Sequence, residues 1–278
     1  MKANVLWFKR DLRINDHLPL KRAIEQGFPI VLLYIFEPEL MAADDSDVRH
    51  WRFIHESLLQ LRKCLPNHTL TIAHSSADEV FKQLMDLFEV QGVYSYQETG
   101  NWLSYKRDQR IASFLKSQNT PWVEFQANGV IRGLKNRQSW DKAWHNFMHS
   151  PLDEPSIEQL TSQPVHWLIP DETSLPDEIR SPHPHFQPGG ILNAQRYAKS
   201  FFDLRHRTYS LHISKPEEAR KSCSRFSPYL AYGNFNGRFM PKSREVMPER
   251  WPILSPAFIG IAISFKSLKP NAAWSFFP

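Results

Sequence analysis

Small hydroxyl side chains gather beside an arginine in the last third of the sequence. The residues concerned are Ser222, Ser224, Arg225 and Ser227. Where such a cluster opens a helix, backbone N–H groups, hydroxyls and a guanidinium can converge on one phosphate group. The same residues also suit a helix whose first turn is capped by a side-chain oxygen and binds nothing. The segment therefore indicates either an anion site or an ordinary helix cap.

Charge also follows the first apolar run of the chain. Val5 to Phe8 are bulky and apolar, and four charged residues follow within five positions: Lys9, Arg10, Asp11 and Arg13. A strand that is apolar on both faces and stops abruptly in charge is typical of a parallel sheet. Ligands of open α/β sheets bind at the carboxyl ends of the strands. The alternative is a core strand followed by a solvated turn.

A third polar group lies at the end of the fourth predicted strand, where Gln97, Glu98 and Asn101 stand beside Trp102. These side chains can hold a flat ligand that forms hydrogen bonds along its edge. The competing interpretation is a turn followed by a helix cap. His183 and His185, which lie among prolines, have no further metal ligand near them in the sequence. We therefore predict no metal site.

The elements that must position these residues alternate between strands and helices. Strands are predicted at residues 5–8, 30–36, 70–73, 92–96 and 122–126, with helices between them. Such alternation forces parallel strands with right-handed crossovers. Residues 1–130 are therefore predicted to form one α/β domain, a five-stranded parallel sheet with helices on both faces. No Gly-x-Gly-x-x-Gly follows any strand, which argues against a nicotinamide-dependent dehydrogenase.

The composition changes beyond residue 130. Residues 131–188 comprise a short amphipathic helix, at 140–149, and then a stretch with eight prolines that is typical of a linker wrapped over the surface. A new helix is predicted from Ile191 to Arg207, and it opens a partial helical domain over residues 189–234. The tail, residues 235–278, has six prolines and no clear helical stripe.

Composition limits the class of protein. The chain has 278 residues, of which 41% are hydrophobic and 23% charged, as is typical of a globular protein. Its first residues do not resemble a signal peptide and no apolar run is long enough to span a membrane, so we expect a cytoplasmic monomer. The two cysteines lie far apart and exclude a disulfide framework. The formal net charge of +5 permits a nucleic-acid partner without requiring one.

Two of these segments resemble a known family. Residues 7–17, Trp-Phe-Lys-Arg-Asp-Leu-Arg-Ile-Asn-Asp-His, resemble the opening signature of the photolyase and cryptochrome family. Residues 224–230, Ser-Arg-Phe-Ser-Pro-Tyr-Leu, are similar to the stretch with which photolyases hold the phosphates and ribityl chain of FAD.

The second likeness implies FAD contacts at Ser224, Phe226 and Ser227, with Tyr209 reaching a phosphate from upstream. Arg225 supplies the guanidinium of the anion site inferred above. Phe226 replaces the usual leucine. Cys223, whose thiol is a weaker donor than a hydroxyl, stands where threonine is usual.

The resemblance also implies a function. Full members of the family bind FAD, excite its reduced form with blue light and pass an electron to a pyrimidine dimer in DNA, which then splits. It further implies an antenna chromophore, a folate or a flavin, near Gln97, Glu98 and Asn101. Three alternatives remain: a cryptochrome-like blue-light sensor, a nucleotide-binding α/β module without light chemistry, and an inert remnant.

The resemblance ends near residue 234. In the family the helical domain continues, surrounds the flavin ring and carries the tryptophans that deliver electrons, so catalytic residues stay unassigned in this chain. We therefore expect dimer repair by this polypeptide to be impaired by truncation. Our hypothesis for residues 235–278 is that they are read out of frame after a coding shift. A shifted downstream frame without a photolyase flavin domain would contradict this hypothesis.

Overall fold

The computed structural model describes residues 1–127, 129–134, 136, 138–212, 214–235 and 238. Almost all of the tail, and with it the hypothesis of a shifted frame, therefore lies outside the described residues. The chain divides into two compact units. The first combines Met1–Ala127 with Asp153–Phe235, and the second combines Asn128–Leu152 with Asn236–Pro278. The domain boundaries expected from the sequence stay predictions.

A parallel sheet of five strands organises the first unit. The strands are β1 (Lys2–Phe8), β2 (Ile30–Phe36), β3 (Thr71–His74), β4 (Glu89–Tyr96) and β5 (Trp122–Phe125), in the order β3-β2-β1-β4-β5. All four pairings are parallel, which confirms the predicted fold class. The chain builds outward from β1 in both directions, so the switch point, where α/β sheets bind ligands, lies between β1 and β4.

Helices cover both faces of the sheet. They are α1 (Leu18–Glu25), α2 (Pro38–Met41), α3 (Val48–Cys64), α4 (Ala77–Leu87) and α5 (Trp102–Ser117). Leu6 and Phe8 of β1 face a core that includes α1 and α3. Val5 and Trp7 point to the opposite side, into a core that includes α4 and α5. This alternation explains why every residue of β2 is buried and why Val5–Phe8 of β1 form an uninterrupted apolar run.

The proline-rich stretch packs into the protein core at several points, unlike a linker that lies only on the surface. Leu160, Leu175 and Ile179 are buried in the core beside α1 and α3, and Ile169 is buried in the other core. The backbone also extends the sheet region, because the N–H of Ile30 donates to the carbonyl of Thr161 at 2.8 Å. These apolar residues are spaced irregularly, so the sequence showed no periodic face. The stretch contains α7 (Asp177–Arg180) and two short 3-10 helices, Ile157–Gln159 and Glu172–Ser174.

The helical segment at the end of the first unit consists of short elements. They are α8 (Ile191–Asp203), a 3-10 helix (Arg205–Thr208), α9 (Tyr209–His212), α10 (Pro216–Ser222) and α11 (Ser227–Ala231). Helix α8 ends four residues earlier than predicted, because Leu204 leaves the helical region with φ −138° and ψ −55°. Phe201, Phe226 and Tyr229 are fully buried between these helices.

The second unit contains one described helix, α6 (Trp140–His149), which the sequence predicted with these bounds. The rings of Trp140 and Trp144 stack at 6.1 Å, and the indole N–H of Trp140 donates to the carbonyl of Gly129 at 3.0 Å. In the part of the chain that the structure describes, no helix is both long and apolar enough to cross a bilayer.

Candidate functional site

A cleft of about 120 Å³ opens at the carboxyl ends of β1, β2 and β4. Its apolar walls are aromatic rings, and its polar groups come from strand ends and from α5. One wall, Tyr232, is contributed by the helical segment. Its lining includes Trp7, Lys9, Arg10, Glu37, Asp45, Glu98, Asn101, Arg107 and Tyr232. We call this space the edge cleft.

A buried network of charges forms the floor of the edge cleft. The Arg107 guanidinium donates to Glu98 Oε2 at 2.9 Å, to Asp108 Oδ1 at 2.8 Å and to Glu37. Lys9 Nζ lies 2.7 Å from the other oxygen of Asp108. The five side chains are each at most 6% exposed. Three carboxylates therefore share two cations out of contact with water, where charges tolerate burial only if they are paired.

The two glutamates of this network have opposite shifts of pKa. Burial alone would raise the pKa of Glu98, but Arg107, Lys9 and Arg10, with the N–H of Gly100, lower it to about 2. For Glu37, burial raises the pKa and outweighs the attraction of Arg107. Glu98 is therefore firmly ionised, and Glu37 is the carboxylate that accepts a proton first.

Aromatic faces help to hold the two buried cations. Lys9 Nζ lies 4.6 Å from the ring centre of Trp7 and 4.8 Å from that of Trp122. The Arg107 guanidinium lies 4.6 Å from the same Trp7 ring. Desolvated cations over indole gain on the order of 2 kcal/mol from the ring quadrupole. The apolar run of β1 therefore supplies part of the charge site itself.

The structure places two of the three residues predicted at β4 in the edge cleft. Glu98 and Asn101 line it, whereas the backbone N–H of Gln97 continues the sheet by donating to the carbonyl of Phe125 at 2.8 Å. Asn101 also caps α5, because its Oδ1 accepts from the N–H of Ser104 at 3.0 Å. Its Nδ2 donates to both oxygens of Asp45, at 3.1 and 3.2 Å. The helix-cap interpretation drawn from the sequence thus holds for Asn101, and its contact with a ligand stays a prediction.

Sequence reasoning did not identify Glu37 and Arg107 as members of this site. Glu37 directly follows β2, so its place at a strand end was an available signal. Arg107 lies inside a helix and 70 residues from Glu37. No local pattern could have joined them.

The charged loop after β1 is held in shape by a buried aspartate and histidine. Asp11 accepts from the N–H of Lys9 at 2.7 Å and, through its other oxygen, contacts His17 Nε2 at 2.7 Å. His17 Nδ1 accepts from the N–H of Leu20 at 3.1 Å and so caps α1. His17 is therefore a neutral imidazole with its proton on Nε2. Burial lowers the pKa of His17 despite the neighbouring carboxylate.

Acidification is expected to destabilise the protein through His17. Its pKa is lower in the folded chain than the ordinary value of 6.5, so below about pH 6.5 the unfolded chain binds a proton that the folded chain does not. The His17→Asn variant keeps a capping residue and removes this titration. Below pH 6.5 we expect the slope of its free energy of unfolding against pH to be smaller than that of the wild type, by up to about 1.4 kcal/mol per pH unit.

Urea denaturation between pH 5 and 8 measures the effect. The exposed residue His68 provides the control, because His68→Asn should leave the pH dependence of the wild type in place. Equal slopes for the wild type and His17→Asn would contradict the role of His17.

The loop after β1 and the segment around residue 230 are bonded directly to each other. The N–H of Leu12 donates to the carbonyl of Tyr232 at 3.0 Å, and Asn234 Nδ2 donates to the carbonyl of Leu12 at 3.2 Å. Arg13 donates to the carbonyl of Gly233 at 3.3 Å. The first motif, residues 7–17, and residues 232–234, which closely follow the second motif, therefore form one junction. This junction sets the Tyr232 ring in the wall of the edge cleft.

Of the predicted phosphate-binding residues, Ser224, Arg225 and Ser227 lie at the start of α11, whereas Tyr232, of the edge cleft, follows its end. Ser224 Oγ accepts from the N–H of Phe226 at 3.4 Å, and Ser227 is the first residue of α11. The Phe226 side chain is buried and packs 5.7 Å from the Phe201 ring, so only its backbone can reach a ligand. Tyr209 contacts the same Phe201 ring at 6.1 Å. The hydroxyl-bearing residues thus surround one aromatic cluster.

The alternative of a capped helix is not realised at α11. Its N-cap residue is Phe226, which forms no side-chain cap. Pro228 has no N–H, so the first turn of α11 can present to another acceptor at most the N–H groups of Ser227 and Tyr229. Arg225 is left-handed, with φ +59°, and its guanidinium donates twice to the carbonyl of Arg220, at 3.2 and 2.9 Å.

The two histidines among the prolines contact each other and a phenylalanine. The His183 and His185 rings lie 5.6 Å apart, and His183 lies 4.7 Å from the Phe186 ring. Within the described residues, no group of three or more potential metal ligands occurs.

Comparison with known proteins identifies the family to which this fold belongs. Residues 4–143 match the family model for DNA photolyase. The chain is 29% identical over 138 residues to a cryptochrome DASH of Gloeobacter violaceus, which covers 47% of this chain and 27% of that protein. It is 24% identical over 254 residues to a deoxyribodipyrimidine photo-lyase of Vibrio cholerae, which covers 84% of this chain and 53% of that protein.

Solved structures share the fold. A Synechocystis cryptochrome superposes with a TM-score of 0.73 at 18% identity, over 96% of this chain and 60% of that one. A photolyase of Sulfolobus tokodaii, described with two FAD molecules, gives a TM-score of 0.69 at 18% identity, over 95% of this chain and 60% of that one. The protein belongs to the DNA photolyase family, in which photolyases and cryptochromes are both found. It spans about half the length of the Vibrio cholerae relative.

Proposed function

We propose that this protein is a light-dependent flavoprotein of the photolyase type whose substrate is a pyrimidine dimer in DNA. The observation that carries the proposal is the junction between the loop after β1 and the segment 232–234. The loop belongs to the first stretch that resembles the family, and residues 232–234 closely follow the second, residues 224–230, although the two stretches are far apart in the chain. The shared contacts support a common architecture that positions α11 against the sheet.

The residues around the start of α11 suit the phosphates of FAD. The hydroxyls of Ser224, Ser227 and Tyr209 are hydrogen-bond donors that suit phosphate oxygens. Arg225 adds charge next to them. When bound, FAD in its reduced form supplies the blue-light absorption and the electron that the chemistry of the family requires.

Flavin bound to the purified protein tests this proposal. Charge-assisted hydrogen bonds contribute about 1.5–3 kcal/mol each, so the double variant Ser224→Ala/Ser227→Ala should bind FAD at least about tenfold more weakly. Absorption in the flavin bands during titration with FAD measures the affinity. Ser113→Ala, an exposed serine of α5, is the control and should bind like the wild type. Absence of flavin binding by the wild type, or equal affinity of the double variant, would refute the proposed site.

The edge cleft is the proposed place of an antenna chromophore, a folate or a flavin. Its rings, carboxylates and Asn101 suit the face and the edge of a flat heterocycle. At about 120 Å³ it is smaller than the roughly 300 Å³ at which ligand pockets begin. A multi-ring chromophore therefore requires the exposed Arg10 side chain and the contact between Asp45 and Asn101 to move outward. Mass spectrometry of the molecules released on denaturation identifies the occupant.

A cryptochrome-like light sensor is the second candidate. It is favoured by the matches to a cryptochrome DASH at 29% identity and to a cryptochrome structure. Both functions need a bound flavin, so flavin absorption does not separate them. Loss of cyclobutane dimers from irradiated DNA under blue light would identify repair. A flavin that changes its redox state in blue light without dimer loss would favour a sensor.

A further inference from the structure

Two histidines lie one turn apart on α6. His145 and His149 are four residues apart, and their imidazole rings are stacked, with ring centres 5.3 Å apart and an angle of 16° between the ring planes. Both residues are exposed. Side chains four residues apart project from the same face of a helix, so both rings can reach one point in the solvent.

A hydrogen bond within α6 determines which nitrogen of His149 can bind a ligand. Its Nδ1 lies 2.8 Å from the carbonyl oxygen of His145. A carbonyl oxygen can only accept, so in the neutral imidazole Nδ1 carries the proton and Nε2 keeps its lone pair. Histidines that bind a metal ion usually donate their other ring N–H in this way to a carbonyl or carboxylate oxygen. His149 is therefore already in the tautomer that coordinates through Nε2.

The His145 ring has no competing hydrogen bond. Among the residues that the structure describes, it contacts only other rings, those of His149 and of Trp144, which lies 5.3 Å away and nearly perpendicular to it. Ring contacts leave the nitrogen lone pair of a neutral imidazole available for a metal ion.

The spacing of the two histidines is that of paired metal ligands on a helix. Two histidines at positions i and i+4 of one helix face are an established way to bind Zn²⁺. An ion lies about 2.0–2.1 Å from each nitrogen, so the two nitrogens must be at most about 4 Å apart. The stacked rings therefore need only a small rotation towards each other, and exposed side chains rotate rapidly.

The two imidazoles also select the class of ion. Imidazole is a ligand of Zn²⁺, Cu²⁺ and Ni²⁺, whereas Mg²⁺ and Ca²⁺ prefer oxygen. No group of three or more potential ligands occurs within the described residues, so water must complete the coordination. Asn146 follows His145, where zinc peptidases have a glutamate as general base. We therefore assign binding to this pair and no hydrolysis.

The histidines among the prolines lack these features. His183 and His185 are two residues apart in a segment that is neither helix nor strand. His183 Nδ1 accepts from the N–H of His185 at 3.3 Å, so the neutral ring carries its proton on Nε2. Both nitrogens of His183 are thus unavailable to an ion, and this pair provides a matched control.

We propose that His145 and His149 form a two-point site for one divalent ion of the late first transition row, Zn²⁺ or Cu²⁺, which links two successive turns of α6. The site shares no residue with the proposed flavin site or with the edge cleft, so its success or failure is independent of the proposed function.

Isothermal titration calorimetry of the full chain without an affinity tag, first with Zn²⁺ at pH 7.5, tests the site. Removal of one of two linked ligands abolishes the chelate, so His145→Gln and His149→Gln should each bind Zn²⁺ at least about tenfold more weakly. Cu²⁺ should bind more tightly than Zn²⁺, and acidification should weaken both because protons compete for the same lone pairs. Binding of Mg²⁺ as tight as that of Zn²⁺ would contradict an imidazole site.

Two control variants keep the histidine count matched. His183→Gln/His185→Gln removes two histidines elsewhere and should bind like the wild type. Asn146→His/His149→Gln keeps the number of histidines but places the second one about 100° around the helix from the first, so it should bind as weakly as His149→Gln. Circular dichroism confirms that the variants fold. Wild-type affinity in Asn146→His/His149→Gln, or weakened binding in His183→Gln/His185→Gln, would overturn the proposal.

Hydrogen exchange tests whether the ion links two turns of the helix. An ion that binds only the helical form stabilises it by mass action, so Zn²⁺ at about 100 times its Kd should slow exchange of the α6 amides by up to about 100-fold. The amides of α4 should exchange at an unchanged rate, and His145→Gln should show no effect of Zn²⁺ in α6. Equal exchange of α6 with and without Zn²⁺ in the wild type would refute the link.

Discussion

The Arg107→Met variant is expected to unfold with a free energy about 3–5 kcal/mol below that of the wild type. Methionine fills much of the same volume but leaves three buried carboxylates with one fewer cation. Glu37 is affected most, since within the described residues it has no other cation within 4.0 Å. Asp108 retains Lys9, and Glu98 retains Arg10 at 3.7 Å. Urea denaturation at pH 7.5 measures the loss.

Arg110, one turn further along α5, provides the matched control. Its guanidinium contacts Asp78 at 3.3 Å and Glu39 at 3.5 Å, but its side chain is 46% exposed. Water screens such pairs, so Arg110→Met should cost only about 0.2–1 kcal/mol. If Arg107→Met and Arg110→Met lost similar free energies of unfolding, burial would not be the reason that the Arg107 network stabilises the fold.

The deficit of Arg107→Met should shrink as the pH falls. Burial already raises the pKa of Glu37 in the wild type, and loss of the guanidinium raises it further. Between the pKa of Glu37 in the unfolded chain and its higher value in the folded variant, the folded state binds the additional proton, so stability rises with falling pH. A deficit that is as large at pH 5 as at pH 8 would contradict this account.

The Gly233→Ala variant is expected to lose about 2–3 kcal/mol of unfolding free energy and to separate the loop after β1 from the segment 232–234. Gly233 has φ +69°, and a Cβ atom there would lie 2.5 Å from the carbonyl oxygen of Arg10 and 2.6 Å from Asp11 Cα. Both obstacles are backbone atoms, so side-chain rotation cannot relieve the clash. The segment 232–234 must move away from the loop after β1, and Tyr232 must leave the wall of the edge cleft.

A Gly27→Ala control separates the cost of the left-handed backbone conformation from the cost of the steric clash at Gly233. Gly27 has φ +73°, but nothing lies within 4 Å of an added Cβ. Gly27→Ala should therefore cost only the left-handed conformation, about 1 kcal/mol. Tyrosine emission is masked by the nine tryptophans, so hydrogen exchange of the Leu12 amide, bonded to the Tyr232 carbonyl, reports the junction. Faster exchange is expected in Gly233→Ala and not in Gly27→Ala, and equal exchange would refute the proposed clash.

FAD affinity, measured together with Leu12 amide exchange, tests whether the junction contributes to the proposed binding of FAD. If the junction positions α11 as proposed, Gly233→Ala should bind FAD more weakly as well, although Gly233 is not among the predicted FAD contacts. Unchanged FAD affinity together with faster exchange would show that the phosphate-binding residues are positioned by the helical segment alone.

The sequence by itself determined the sheet and most of its helices. The uninterrupted apolar runs Val5–Phe8 and Ile30–Phe36, and the stripe of α3, are local patterns whose periods depend only on backbone geometry. Family membership was also readable, since it rested on two short runs of residues. The polar residues at the end of β4 could be located because parallel strands place all their carboxyl ends at one edge.

Only the tertiary structure decided which charges and rings meet. Arg107 contacts Glu37 because the order β3-β2-β1-β4-β5 brings the end of β2 near α5, and nothing in either local sequence specifies that order. The burial of Leu160 and Ile179 was not predicted, because apolar residues that are spaced irregularly give no periodic pattern in the sequence. Local patterns fix backbone periodicity, whereas contacts between distant side chains depend on how the whole chain packs.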